Sequence, residues 1–257
     1  EKTVMTHRNP PLRVALFGTS ADPPHLGHQS ILMWLSQRFD EVVVWAADNP
    51  YKPNQSAIGD RAEMLRLLIQ TLPQQRPSRP KPSYRITQMT EMAPTSAPIN
   101  VSLNQQLSDR YSIHSIARAR EIWPTAEFSF VVGADLIEQL PKWYRASEIF
   151  DQVDILVFPR PGYPIEGSAL STLRQLATVK IAHPPAQYDI SSSTYRENRC
   201  TDSQQSASQQ SAGQQGTPQS SDGHSYQLPT VIRDYIIEHD LYPCLQQTPK
   251  ATISTRG

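Results

Sequence analysis

Apolar and polar positions alternate along the chain in two textures. Short runs dense in branched and aromatic residues occur at Leu12 to Phe17, Glu41 to Ala47, Phe128 to Val132 and Asp154 to Phe158. Such runs read as strands buried on both faces. Between them lie segments whose apolar residues recur at helical spacing. Ile58 to Leu72 places Met64, Leu65, Leu68, Ile69 and Leu72 on one face. Further helices are predicted from His25 through Leu35, from Tyr111 to before Pro124, and over Ala169 to Ala177. Leu228 to Tyr242 closes the series, with Val231, Ile232, Tyr235 and Ile236 facing inward. Ile99 to Leu103 is a short alternating segment and Thr178 to Ala182 a last short strand. Strands that alternate with helices predict a parallel, doubly wound, Rossmann-like α/β sheet.

The pattern also shows where the packed domain stops. Residues 1–11 are a polar tail, and the domain spans 12–242. Within it, 73–98 carries six prolines and no period, which predicts an irregular insertion. Residues 200–226 are mostly Ser and Gln, with almost nothing apolar to bury, and form a second flexible insertion. Residues 243–257 are a loose tail. At 257 residues the remainder suffices for one sizeable core.

Composition narrows the function classes. Lys and Arg number 24 and so do Asp and Glu, so no global field favours nucleic acid or an anionic membrane. No apolar run approaches the roughly 20 residues that span a bilayer, and the first residues lack the apolar core of a signal peptide. Cys200 and Cys244 have no CxxC partner and read as free thiols in a reducing cytoplasm.

The chemistry concentrates after the first strand. Gly18 ends the apolar run, Asp22-Pro23-Pro24 makes a compact turn, and His25-Leu26-Gly27-His28 opens the helix. Backbone N–H groups and the helix dipole converge at such a start and favour phosphate. Two histidines three positions apart add side-chain donors. Other candidates sit at strand ends, which face the ligand crevice in an open α/β sheet. Lys52, in the loop after the second strand, is either a phosphate contact or a solvated lysine. Asp135 can hold ribose hydroxyls or cap a helix. Trp143 and Tyr144 are either packing residues or a ligand platform. Ser191, Ser192, Ser193 and Arg196 suit either a helix cap or a triphosphate.

Placed in this strand–loop–helix context, the HxGH element resembles the nucleotidyltransferase superfamily, and the chain is most similar to bacterial nicotinate-nucleotide adenylyltransferases. The likeness runs from about Leu12 to Tyr242. Asn49-Pro50-Tyr51-Lys52, Tyr111-Ser112-Ile113-His114-Ser115-Ile116, Val132-Gly133-Ala134-Asp135 with Trp143-Tyr144, Arg160-Pro161-Gly162-Tyr163 and Ile190 to Arg196 all carry it. So does the C-terminal LPxxVxxYIxxxxLY pattern, with Ile232 in the valine position. The resemblance implies adenylyl transfer from ATP to nicotinate mononucleotide in NAD biosynthesis. It assigns catalysis to His25, His28 and Arg196. It assigns ATP binding to these and to Gly18, Thr19, Ser20, Gly133, Asp135, Ser191, Ser192 and Ser193. Lys52, Ser112, Trp143 and Tyr144 would hold the mononucleotide: Trp143 stacked on the pyridine ring, Ser112 and the Tyr144 backbone at the carboxylate. Mg²⁺ is implied as cofactor, held by phosphates and water without a dedicated protein cage. Three positions depart from the pattern: Thr19 replaces a glycine, Ala21 an aromatic, and His114 stands where aspartate is common. Two alternatives stay open. One is a sister transferase acting on nicotinamide mononucleotide or another small phosphate. The other is a non-catalytic nucleotide sensor of the same fold.

Overall fold

In the computed structural model the strands form one parallel sheet in the order β3-β2-β1-β4-β5-β6. Residues 10–49, 52, 54–73, 100–165, 167–184, 191–196 and 228–243 are described. The two expected insertions and the two tails lie almost entirely outside them. The strands are β1 (Arg13–Thr19), β2 (Glu41–Ala46), β3 (Val101–Leu103), β4 (Glu127–Gly133), β5 (Asp154–Phe158) and β6 (Val179–Ile181). The helices are α1 (Leu26–Ser36), α2 (Ile58–Gln70), α3 (Ser112–Ile122), α4 (Ala146–Phe150) and α5 (Ser168–Leu176), then α6 over 192–196 and α7 (Thr230–Glu238). No helix among the described residues is long and apolar enough to cross a membrane.

Strand residues alternate between two cores because successive side chains leave opposite faces. Val14, Leu16, Val43, Phe130, Val132 and Ile155 join α3, α4 and α5 on one face, with Ile116, Ile149 and Leu173 as helix partners. Ala15, Phe17, Val42, Val44, Val131 and Leu156 join α1, α2 and α7 on the other, against Leu32, Leu65 and Ile236. Both faces are covered, as a purely parallel sheet requires.

The pattern of the sequence misplaces the ends of β1 and α7 and misses one short helix. β1 does not end at Gly18 but continues through Thr19, with Gly18 opposite Trp45 and Thr19 opposite Ala46. A Cβ at Gly18 would fall 2.7 Å from the Trp45 ring, so only glycine lets the strand run on beside that indole. Helix α4 has no visible period because it is only five residues long; left-handed Arg145 opens it and buried Ile149 anchors it. Helix α7 stops at Glu238, and left-handed Asp240 and Tyr242 turn the chain beyond it.

Candidate active site

Strand order reverses direction at β1, between β2 and β4, and the crevice outside the carboxyl ends there is the expected ligand site of such a sheet. The loop from Ser20 delivers His25 to the N-cap of α1. Its Nδ1 accepts the Gly27 N–H at 3.1 Å, while His28 Nδ1 accepts the His25 N–H at 3.2 Å. Two orphan helix donors are thereby satisfied by the two rings. A backbone N–H can only donate, so neither Nδ1 carries a proton, and each neutral ring is the Nε2–H tautomer. The rings lie 4.0 Å apart, centroid to centroid. Burial, and then the Arg160 guanidinium, lower the His25 pKa to about 4. Burial also pushes His28 well down, assisted by His25, Arg160 and Lys52. The pair therefore presents two uncharged N–H donors at the positive end of a helix.

Asp135 sits in a 3-10 turn at the end of β4 and makes no helix cap. Its carboxylate accepts from Arg160 Nη1 at 2.6 Å. A Cβ at Gly133 would collide with Asp135 Oδ1, so the glycine makes room for that carboxylate. Lys52 is solvent-exposed, yet partial desolvation lowers its pKa, as do the cations Arg160 and Arg196; Asp135 and Asp22 oppose the shift. These influences place its ammonium among the charged groups of the crevice.

The serine segment splits in two. Ser191 caps α6 by accepting the Thr194 N–H at 3.0 Å, whereas the Ser192 hydroxyl donates to the Pro23 carbonyl at 2.9 Å. Ser193 is exposed. Arg196 Nη1 donates to the Asp22 carbonyl oxygen and lies 3.6 Å from the Asp22 carboxylate. Both segments are thus docked on the loop that leads into His25.

The other candidates gather around α3 and α4. Trp143 is half-buried, edge-to-face with Phe130 at 6.2 Å, and Phe130 in turn meets Trp45 at 6.3 Å. A line of rings therefore runs from Gly18 to Trp143. Tyr144 is 53% exposed and its ring lies 4.6 Å from that of Tyr111, which directly precedes Ser112. Asp109 orders this corner: it accepts from the Tyr111 N–H and from Arg118, and pairs with His114.

Three groups escape a reading of the sequence as site residues. Arg160 stands in the sequence as part of the Arg160-Pro161-Gly162-Tyr163 segment, with no role of its own. Asp22 is buried and accepts from the Ser56 N–H and hydroxyl and from the Tyr242 hydroxyl. Arg61 is also buried, and its guanidinium ties the carbonyls of Ser20, Ala47 and Ser56 together at 2.8–3.1 Å. A signal for Arg61 did exist: it shares the inward face of α2 with Met64, Leu65 and Leu68. A separate cleft of about 560 Å³ opens at the amino ends of the strands. Two ion pairs line it, Arg13 with Asp40 and Lys180 with Asp154.

Known proteins resemble this chain in sequence and in fold. The family profile described as cytidylyltransferase-like matches residues 16–198. A probable nicotinate-nucleotide adenylyltransferase of Synechocystis is 39% identical, over 74% of this chain and 91% of its own length. The nicotinate-nucleotide adenylyltransferase of Bacillus subtilis is 26% identical, over 60% of this chain and 72% of its own. In fold, the chain is similar to the nicotinic acid mononucleotide adenylyltransferase of Plasmodium falciparum solved with NaAD. That likeness has a TM-score of 0.64 at 16% identity and covers 91% and 98% of the two chains. With the histidine pair at the head of α1 and a profile match across most of the sheet, the chain belongs to the nicotinate-nucleotide adenylyltransferase family, within the cytidylyltransferase-like fold.

Proposed function

We propose that this protein transfers the adenylyl group of ATP to nicotinate mononucleotide, giving nicotinate adenine dinucleotide and pyrophosphate. The observation that carries the proposal is the pair of neutral Nε2–H histidines at the head of α1, with Arg160 and Lys52 beside them. In the reaction, a 5′-phosphate oxygen of the mononucleotide bonds to the α-phosphorus. The bond from that phosphorus to the bridging oxygen breaks, and the electron pair leaves with pyrophosphate. The nucleophile is already an anion near neutral pH, so the protein needs no general base. Its task is to align two anionic reactants and to neutralise charge on the leaving oxygens. Histidine donors do this without the cost of burying two extra cations beside Arg160.

The adenosine end falls to Gly133 and Asp135, and the far phosphates to Ser193 and Arg196. The pyridine ring falls to the Trp143 indole, on which it would stack, with Ser112 and the Tyr144 backbone at its carboxylate. Among the described residues no cluster of His, Cys, Asp or Glu is arranged to hold a metal. The crevice carboxylates are engaged, Asp22 by Ser56 and Tyr242 and Asp135 by Arg160. We therefore assign Mg²⁺ to the triphosphate oxygens and water, where it would neutralise phosphate charge.

Pyrophosphate release from ATP and Mg²⁺ tests the reading, with nicotinate and nicotinamide mononucleotides compared side by side. A strong preference for nicotinate is expected. A preference for nicotinamide would discard the carboxylate site, and ATP binding without release would replace the transferase by a nucleotide sensor.

A further inference from the structure

His28 is held at both ring nitrogens. Nδ1 accepts the His25 N–H, which puts the neutral ring's proton on Nε2, and Nε2 lies 3.2 Å from Thr19 Oγ1. The direction of that bond follows: His28 donates and the threonine hydroxyl accepts. Thr19 is a firm post for it. It is the last residue of β1, its carbonyl accepts the Ala47 N–H at 2.8 Å, and its β-branched side chain has few rotamers. The position matters because the family pattern, as far as this chain resembles it, has a glycine here, which offers no hydroxyl.

We propose that Thr19 is a positioning residue for His28. Before nucleotide binds, its hydroxyl holds the place of a phosphate oxygen, so the ring waits with Nε2–H already turned toward the anion. An incoming phosphate oxygen then takes over the donor through a stronger, charge-assisted bond. Little reorganisation remains at the moment of reaction, which is where a preorganised donor gains its advantage. The inference rests on the adenylyl-transfer reading for its kinetic consequence, but not for the bond itself.

The experiment pairs proton and nitrogen NMR of the ligand-free protein with steady-state kinetics on Thr19→Val and Thr19→Ser. Valine matches threonine in shape and removes only the acceptor. Wild type should show a His28 Nε2–H resonance protected from exchange, lost in Thr19→Val and restored in Thr19→Ser. Turnover in Thr19→Val should fall about tenfold, as one lost hydrogen bond to the reacting machinery would cause, with KM for the mononucleotide unchanged and recovery in Thr19→Ser. The proposal is overturned if the wild-type resonance is absent. It is equally overturned if the resonance survives in Thr19→Val, or if it is lost while turnover holds. Failure of the wild type to release pyrophosphate would instead defeat the functional reading and leave the NMR arm standing.

Discussion

His25 and His28 each do two jobs, and the first makes the second dependent on pH. As acceptors for backbone N–H groups at Nδ1 they finish the first turn of α1, and this leaves the proton of each neutral ring on Nε2 as a donor. Adding a proton to either Nδ1 sets donor against donor and places charge in a buried site. The folded pKa of His25 accordingly lies near 4, against 6.5 for an unperturbed ring. Between those values the unfolded chain binds the proton and the folded one does not, so stability falls as pH drops through 6.5 and is constant above it. From about pH 7 to about pH 5 this amounts to about 2 kcal/mol for one such histidine, and His28 acts in the same direction. Urea unfolding at the two pH values should show the loss in wild type. His25→Asn, whose amide oxygen can still cap the helix, should show a clearly smaller one. Equal losses in the two proteins would mean that His25 is not buried as a neutral ring. The histidine pair was legible in the sequence because its geometry is local: three positions apart at a helix start allows only a few arrangements. The partners that set its charge state were not, since Arg160 lies more than a hundred residues further along.

Elements were legible where a period had room to show itself. The long strands and α2, α3, α5 and α7 follow from alternation or helical spacing. Five-residue α4 escapes, because its only anchors are Ala146 and Ile149 and its start depends on a left-handed Arg145. The end of β4 shows a subtler limit. Gly133 reads in the sequence as a nucleotide-facing glycine, but its φ of −79° is open to any residue. What requires glycine is the Asp135 carboxylate folded back over it. Gly133→Ala should therefore leave β4 intact, since β1 and β5 flank it on both sides. It should displace Asp135 from Arg160, with KM for ATP rising about tenfold or more, the scale of one lost charge-assisted hydrogen bond. The far-UV circular dichroism should be unchanged. An unaltered KM for ATP would show that the Asp135–Arg160 pair plays no part in nucleotide binding.

Across the whole molecule, the crevice is closed by segments far apart in sequence that meet on one buried carboxylate. Asp22 leaves the end of β1, Ser56 precedes α2, Arg196 ends the described part of α6, and Tyr242 lies in the turn beyond α7. Sequence pattern placed Asp22 in the turn after the first strand and Arg196 in the serine segment, yet it could not show that they touch. The link from Tyr242 to Asp22 spans 220 residues and depends on α7 lying against α2 on one face of the sheet. Burial, and then Asp22, push the Tyr242 phenol well above its ordinary range, so it is a donor at any working pH. The Tyr242 hydroxyl reaches Asp22 Oδ1 at 2.6 Å, and the same residue's carbonyl oxygen receives Arg196. Tyr242→Phe removes one donor from a buried carboxylate that keeps its two bonds from Ser56, a loss of about 1–3 kcal/mol. If the C-terminal turn served stability alone, the variant would unfold more easily and turn over normally. If the turn also sets the loop on which Arg196 rests, KM for ATP should rise while KM for the mononucleotide, which we assign to the α3–α4 corner, stays put. That split is the expected outcome, and a parallel rise in both constants would show that Tyr242 steadies the whole crevice and does not act through Arg196.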